Sequence, residues 1–423
     1  MIQQIRRVVD HPAVKHLGPG LITGAADDDP SGIATYSQAG AQFGFGMLWT
    51  MLLTFPLMTS IQMISARMGC LTGRGLAANI KVEFPAWVLY GTVSLLVVAN
   101  TINIAADIAA MGEATHLILG GSPHYYSIGF GLACLGLQVF LSYQTYVRYL
   151  KWLTLALLSY VAVAFSIEVS WLDVASSIVA PGLSMDRETI TVLVAVLGTT
   201  ISPYLFFWQA AQEMEDLRAT GNGAILPPTA PEAVAHLRRI RWDSVVGMGL
   251  SNAVAFFIML AAGATLHKAG ITNIQTSAQA AEALRPLAGN FAFLLFSLGI
   301  IGTGLLAVPV LAGSAAYAVT ESFDWSTGLD KKLHEAKRFY AIVAFATLGG
   351  VILNFTPIDP IKALLWSAVI NGVIAVPIMV VMMLLGMRER VMGEFVIGRR
   401  LQFMGWLATA IMALAVTTML LTF

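Results

Sequence analysis

The chain has 423 residues, 57% of them hydrophobic and only 11% charged, and its mean hydropathy is +0.75. Soluble domains carry about 25% charged residues, and apolar runs of bilayer-crossing length recur here from end to end, so a soluble globular protein is excluded. Lysine plus arginine and aspartate plus glutamate balance at 24 each, which points to no nucleic-acid partner. The composition is that of an all-α polytopic membrane protein whose main partner is the lipid bilayer.

The N-terminus lacks a short apolar stretch with a small-residue cleavage site, and reads as the start of the mature chain. The first span covers about 14–43 and is broken in its middle by Asp27-Asp28-Asp29-Pro30-Ser31-Gly32. Its two apolar flanks, Leu17 to Ala26 and Ile33 to Phe45, are each too short to cross a hydrocarbon core; together they reach. Acids at that depth cost about 3 kcal/mol each unless bound or neutralised. Broken backbone there is tolerated only where its free carbonyls line a cavity or a site. An acid beside freed carbonyls in a membrane describes a cation site. The plainer reading is a helix start, with Asp29 as N-cap and Pro30 at the first position.

Further spans follow at 45–68, 85–112, 124–144 and 146–168. The sixth, about 189–217, is again interrupted, at Gly198-Thr199-Thr200-Ile201-Ser202-Pro203-Tyr204. Pro203 has no amide proton and frees a carbonyl one turn back, around Thr199. The remaining spans are 240–266, 290–320, 337–354, 358–386 and 401–422, with a short amphipathic helix over 276–287 outside the bilayer. That makes eleven. Spans one and six open two successive five-span sets, and paired breaks at matching positions of two halves mark the binding site of inverted-repeat transporters. The whole chain is read as one transporter domain, with a first repeat at about 14–168, a second at 189–386 and an extra span at 401–422. Basic residues set the orientation. With the N-terminus in the cytoplasm, 20 Lys and Arg fall inside and only Arg187, Lys268, Arg285 and Lys362 outside, leaving the C-terminus outside.

Gly18-Pro19-Gly20, then Asp29-Pro30-Ser31-Gly32, then Gln38-Ala39-Gly40-Ala41-Gln42-Phe43-Gly44 resembles the first helix of NRAMP divalent-metal transporters, which read GPG, DPGN and QAGAQFGY there. The resemblance is strong over 17–67 and collinear beyond. It implies a LeuT-type fold of inverted five-helix repeats. It also implies an ion held by the Asp and Asn of the first-helix motif, with a backbone carbonyl and a Met thioether from the sixth helix. Asp29 stands at the metal-binding Asp. Gly32 replaces the Asn. Against the family's Ala-x-x-Met-Pro-His, Thr199 supplies the carbonyl, Ser202 replaces the thioether and Tyr204 the histidine. Ala375 stands where the tenth helix commonly has Gln, and Asn371, one turn earlier, is a candidate replacement.

Loss of the thioether moves the site toward hard cations, since carboxylate, carbonyl, hydroxyl and water suit Mg²⁺, Ca²⁺ and Mn²⁺. Loss of two side-chain ligands widens it, and Mg²⁺ keeps several of its waters. The expected branch is therefore that of the NRAMP-related magnesium transporters, importing Mg²⁺ with Mn²⁺ also accepted. For proton coupling, Asp107-Ile108-Ala109 resembles the family's Asp-Leu-Ala, but the following Glu is Ala110, a further Glu aligns with Asn100, and the sixth-helix His is missing. Uncoupled transport is expected. The alternatives are a proton-coupled Mn²⁺/Fe²⁺ symporter and, more remotely, an amino-acid-type symporter of the same fold.

Asp27 and Asp28 read either as acids around the cation or as a solvated face of the break. Gln209 and Glu213 share a helix face, lining an inner exit or a helix end emerging into the cytoplasm. Glu113 reads as surface, with a role in the entry path as the alternative. Cys70 and Cys134 read as free thiols, and the seven His residues have no zinc spacing. No enzyme constellation, cofactor or obligate protein partner is expected; the transported divalent cation is the ligand. A prokaryotic plasma membrane is the expected location.

Overall fold

The computed structural model describes residues 19–140, 156–182, 186–220, 230–356 and 359–422. Gly18, residues 141–155 of the fourth and fifth expected spans, and the basic residues Arg6, Arg7, Lys15, Arg148 and Lys151 lie outside the described residues.

The first span is two half-helices, α1 (Pro19–Asp27) and α2 (Pro30–Phe43). At 1.5 Å per residue they measure about 14 and 21 Å, so neither alone crosses a core of about 30 Å. There follow α3 (Trp49–Thr72), α4 (Leu76–Glu83), α5 (Ala86–Leu119), α6 (Pro123–Phe140), α7 (Leu158–Ser166) and α8 (Trp171–Val179). The second broken span is α9 (Arg187–Thr200) and α10 (Pro203–Thr220). Then come α11 (Ala230–Ala262, extended by a wide π turn over Gly263–His267), α12 (Ala292–Ser322), α13 (Lys337–Leu353), α14 (Pro360–Gly386) and α15 (Arg399–Thr422). Short helical turns over Ser277–Ala288 occupy the place of the expected amphipathic helix. Among the described residues, six helical stretches are by themselves long and apolar enough to cross a membrane, α9 and α10 counting as one.

Three details differ from expectation. After α7 the chain bends by 117° into α8. Ser170 caps α8 on the Asp173 amide, and Trp171, Leu172 and Val179 present an exposed apolar face, as a helix lying at a bilayer surface would. Between α3 and α5 the chain forms α4, which buries Leu76, Ala77 and Ile80 and whose Ala78 amide is taken by the Glu321 carboxylate at 3.1 Å. α11 begins ten residues before the expected seventh span, because a charged helical extension carries no hydropathy signal.

The breaks sit at the centre. Residues 30–41 of α2 are all buried, and α11 packs along both α1 and α2 while α9 packs on α14. Two pairs of glycines allow these approaches. A Cβ on Gly24 would stand against the Gly247 backbone, and one on Gly198 against the Ala368 carbonyl and the Gly372 amide. Gly198→Ala is expected to remove about 1–3 kcal/mol of stability by overpacking the α9–α14 crossing. A lower thermal unfolding midpoint in detergent checks this; an unchanged midpoint would mean that the helices have room to separate.

Candidate metal centre

Asp29 has extended backbone (φ −69°, ψ 170°) and caps α2, its carboxylate accepting the Gly32 amide at 2.7 Å, with Pro30 in the first turn. The plain helix-start reading therefore holds locally. The helix it starts, however, lies in the protein interior, and Asp29 is only 2% exposed. Its other oxygen, Oδ2, accepts from Asn103 Nδ2 of α5 at 3.0 Å. The Tyr204 hydroxyl donates to the Ala26 carbonyl at 3.0 Å, at the end of α1, and faces the Asp29 carboxylate.

At the second break Thr199 Oγ1 stands 3.3 Å from where a Gly32 Cβ would be, so the two breaks meet as the sequence implied. Ser202 behaves differently from expectation. Its hydroxyl turns back on α9 and donates toward the Gly198 and Thr199 carbonyls, at 3.0 and 2.8 Å. The carbonyl freed by Pro203, that of Thr199, thus shares one hydroxyl proton with its neighbour Gly198, a local bond that serine makes readily. The next residue, Thr200, meets the Tyr36 hydroxyl of α2 at 3.0 Å.

Asn371 lies on α14 beside Gly372, at the crossing with Gly198, and its Oδ1 is buried without a hydrogen-bond partner. Asp107 is fully buried on α5; neither of its oxygens makes a hydrogen bond of normal geometry, and the carboxylate faces the Ser31 amide at the start of α2. Asp27 and Asp28 are buried too, which removes the solvated-face reading. Both accept from one group, the Ser251 hydroxyl of α11, at 2.7 and 3.1 Å.

Toward one end of the bundle, a cavity of about 730 Å³ is lined by Ala34 and Gln38 of α2, Val192 of α9 and Leu365 of α14. These are the three helices that carry Gly32, Thr199 and Asn371. The mouth carries the exposed Arg187, Glu188 and Lys362. Toward the other end the way is filled. Thr23 bonds Gln209 at 2.5 Å, Gln62 bonds the Leu205 carbonyl at 2.9 Å, Gln209 reaches Glu213 at 3.3 Å, and Glu213 pairs with Arg239. The Gly20 amide donates to Asp243 at 2.6 Å. Gln209 and Glu213, buried at 0% and 1%, are a plug in this conformation rather than an open exit or a free helix end. Glu113 is half-buried beside a second cavity of about 740 Å³ that also touches His124 and Asp359.

Among the described residues no three His, Cys, Asp or Glu side chains gather as a metal cluster. The arrangement around Asp29 is a carboxylate among neutral oxygens, with the buried carboxylates of Asp27, Asp28 and Asp107 close enough to act on it. That set suits a hard divalent cation passing through with part of its water, not a tightly held resident metal. Asn103, Ser251 and Asp243 were not singled out from the sequence; the usable signal was a polar residue inside an otherwise apolar span.

The profile of the family described as natural resistance-associated macrophage protein-like (Nramp) matches residues 20–422. A divalent metal cation transporter, MntH, of Klebsiella pneumoniae (strain 342) is 27% identical over 405 residues, spanning 93% of this chain and 91% of that protein. The crystal structure of the Eremococcus coleocola manganese transporter, in complex with an aromatic bis-isothiourea substituted compound, superposes with a TM-score of 0.74 at 16% identity, over 97% of this chain and 88% of that one. Mhp1, in an inward-facing conformation, gives a TM-score of 0.51 at 12% identity, over 95% and 90%. These likenesses show the LeuT-type fold.

Proposed function

The chain belongs to the Nramp family, and from that premise we propose that this multi-pass membrane protein carries a divalent metal cation by alternating access. The observation that carries the reading is the buried Asp29 carboxylate, held at the junction of two broken helices where Thr199 stands against Gly32. Asp29 is the principal ligand. Carbonyls at the two breaks, the Thr199 hydroxyl and retained water complete the shell, the Ser202 hydroxyl joins it by turning away from the Gly198 and Thr199 carbonyls, and Asp28, Tyr204, Asn371 and Asp107 shape its surroundings. Oxygen ligands without a thioether favour Mg²⁺ as cargo, with Mn²⁺ also accepted. Without the Glu and His of the resembling family's relay, transport runs without proton coupling. The protein acts as a carrier, not an enzyme, and needs no cofactor. Residues 1–423 form one unit in a prokaryotic plasma membrane, N-terminus inside and C-terminus outside, importing through the vestibule at Gln38.

A second reading has its own support. The relatives named above are a divalent metal cation transporter and a manganese transporter, and Asp107 remains as a titratable group in the third span. Uptake of Mg²⁺ and Mn²⁺ into proteoliposomes, with a pH dye in parallel, decides between them. Mg²⁺ entry without acidification supports the first reading. Mn²⁺ entry with acidification, and none for Mg²⁺, establishes the second. An amino-acid-type symporter is disfavoured, because three acids at the break repel a substrate carboxylate.

Selectivity gives a sharper check. Gly32→Asn with Ser202→Met restores an amide and a thioether, and is expected to shift preference toward Mn²⁺ or Cd²⁺ over Mg²⁺ about tenfold. The new Cβ at position 32 lies 3.3 Å from Thr199 Oγ1, so that hydroxyl must give slightly. Unchanged selectivity in a folded double variant would remove Gly32 and Ser202 from the ligand assignment.

A further inference from the structure

We propose that Asn103 replaces the amide missing at Gly32: its Oδ1 serves the cation at Asp29 as a ligand, directly or through one water, and helps to set which cations are accepted. The inference rests on the reading of Asp29 as the cargo site and extends it to a residue on a different helix.

The geometry fixes which way this amide points. Nδ2 donates to Asp29 Oδ2 at 3.0 Å; the flipped amide would set its oxygen against a carboxylate oxygen, two acceptors with no proton between them. Oδ1 therefore faces away from Asp29 Oδ2, and it is buried without a hydrogen-bond partner in a side chain that is 0% exposed. An unsatisfied buried carbonyl costs about 1–3 kcal/mol, so a fully sealed amide oxygen of this kind calls for a positive partner or a water. The two ends of one amide are about 2 Å apart, which puts Oδ1 within roughly 5 Å of Asp29 Oδ2. Two oxygens bound directly to one Mg²⁺ stand at most about 4 Å apart, so this spacing allows a direct ligand at its near end and a ligand acting through one water at its far end.

The surroundings agree. Asn100, Asn103 and Asp107 follow each other at three and four residues, on one face of α5, and each is fully buried with at least one oxygen lacking a hydrogen bond of normal geometry. Only Asn103 is tied to Asp29; the Asn100 amide is spent on the Leu311 carbonyl at 2.8 Å. Asn103 thus has a second function beside its hydrogen bond: it holds the carboxylate in place and keeps its own hard oxygen unspent within roughly 5 Å of it. Its chemistry is that of a carboxamide, the group the first-helix motif lacks at Gly32.

The test uses the purified full chain in liposomes, with Mg²⁺, Mn²⁺ and Cd²⁺ as probes. The variants are Asn103→Cys, which offers a soft ligand, and Asn103→Leu, which offers none, with Asn100→Leu as a control on the same face. Asn103→Cys is expected to raise Cd²⁺ uptake relative to the hard cation that the wild type carries by about tenfold. Asn103→Leu is expected to raise the apparent KM for that cation more than it lowers the maximal rate. Asn100→Leu is expected to leave the cation ratio unchanged. If Asn103→Cys keeps the wild-type ratio, and Asn103→Leu lowers the rate for every cation equally, Asn103 only positions Asp29 and the proposal is overturned. Should Asn103→Leu fail to give monodisperse protein, the thiol variant decides alone, since its side chain is smaller than the amide. Wild-type liposomes that take up no divalent cation at all would overturn the cargo reading itself, before any variant is made.

Discussion

Asp29→Ala is expected to abolish divalent cation uptake in proteoliposomes, by at least about a hundredfold, since Asp29 is the carboxylate that both caps α2 and is held from α5 at the junction of the two breaks. Alanine would also unfasten the structure. It removes the cap on α2, whose loss costs about 0.5–2 kcal/mol, and leaves Asn103 Nδ2 without its acceptor. A dead variant alone is therefore ambiguous, and Asp29→Asn resolves it. Asparagine caps a helix as well as aspartate but brings no charge to a cation. Its single oxygen keeps the Gly32 bond, while Asn103 must flip to accept from the new NH2; a folded Asp29→Asn protein, with its midpoint above that of Asp29→Ala, should still transport nothing. Near-normal uptake by Asp29→Asn would show that Asp29 is a structural cap and that the cation is held elsewhere.

Gly24→Leu is the second variant for which a large effect is expected, through the opposite end of the pathway. α1 lies on α11 in register: the Gly20 amide meets Asp243, the Gly24 backbone meets that of Gly247, and Asp27 and Asp28 meet Ser251. The partners on α11 recur every four residues, so one face of that helix carries the whole contact. A leucine at position 24 has no space against the Gly247 carbonyl and must lift α1 away. Overpacking of about 1–3 kcal/mol shifts an equilibrium between two conformations by roughly 5–150-fold, toward the one with this end open. Uptake is expected to fall. Thiol labelling of Thr23→Cys, introduced with Cys70 and Cys134 replaced by Ala, is expected to rise, because Thr23 is fully buried against Gln209 in the closed form. Labelling that stays at background, with uptake intact, would mean that α1 is not part of the closure.

Among the described residues, the long apolar helices and the position of both breaks were legible in the sequence, because an acid run or a proline inside an apolar stretch has few physical explanations. Their meeting was legible for the same reason, and Thr199 against Gly32 bears it out. What was not legible depends on three-dimensional choices. Ser202 was expected to point its hydroxyl into the site; the structure spends it on carbonyls of its own helix, an option open to any serine after a break. Asn103 differs from the other polar residues of α5 only in what lies across from it, and that is Asp29, 74 residues away. α4 and α8 were missed because short helices at the ends of spans have no hydropathy period of their own.

The double anchoring of Asp29 has a consequence for the entropy of loading. A carboxylate free to rotate must be ordered by its ligand, and ordering one such side chain costs about 0.5–1.5 kcal/mol. Here one oxygen is fixed by the Gly32 amide and the other by Asn103, so folding has already frozen the rotamer. On the reading that Asp29 holds the cargo, an arriving ion meets a carboxylate already held in place and loses no affinity to ordering that side chain.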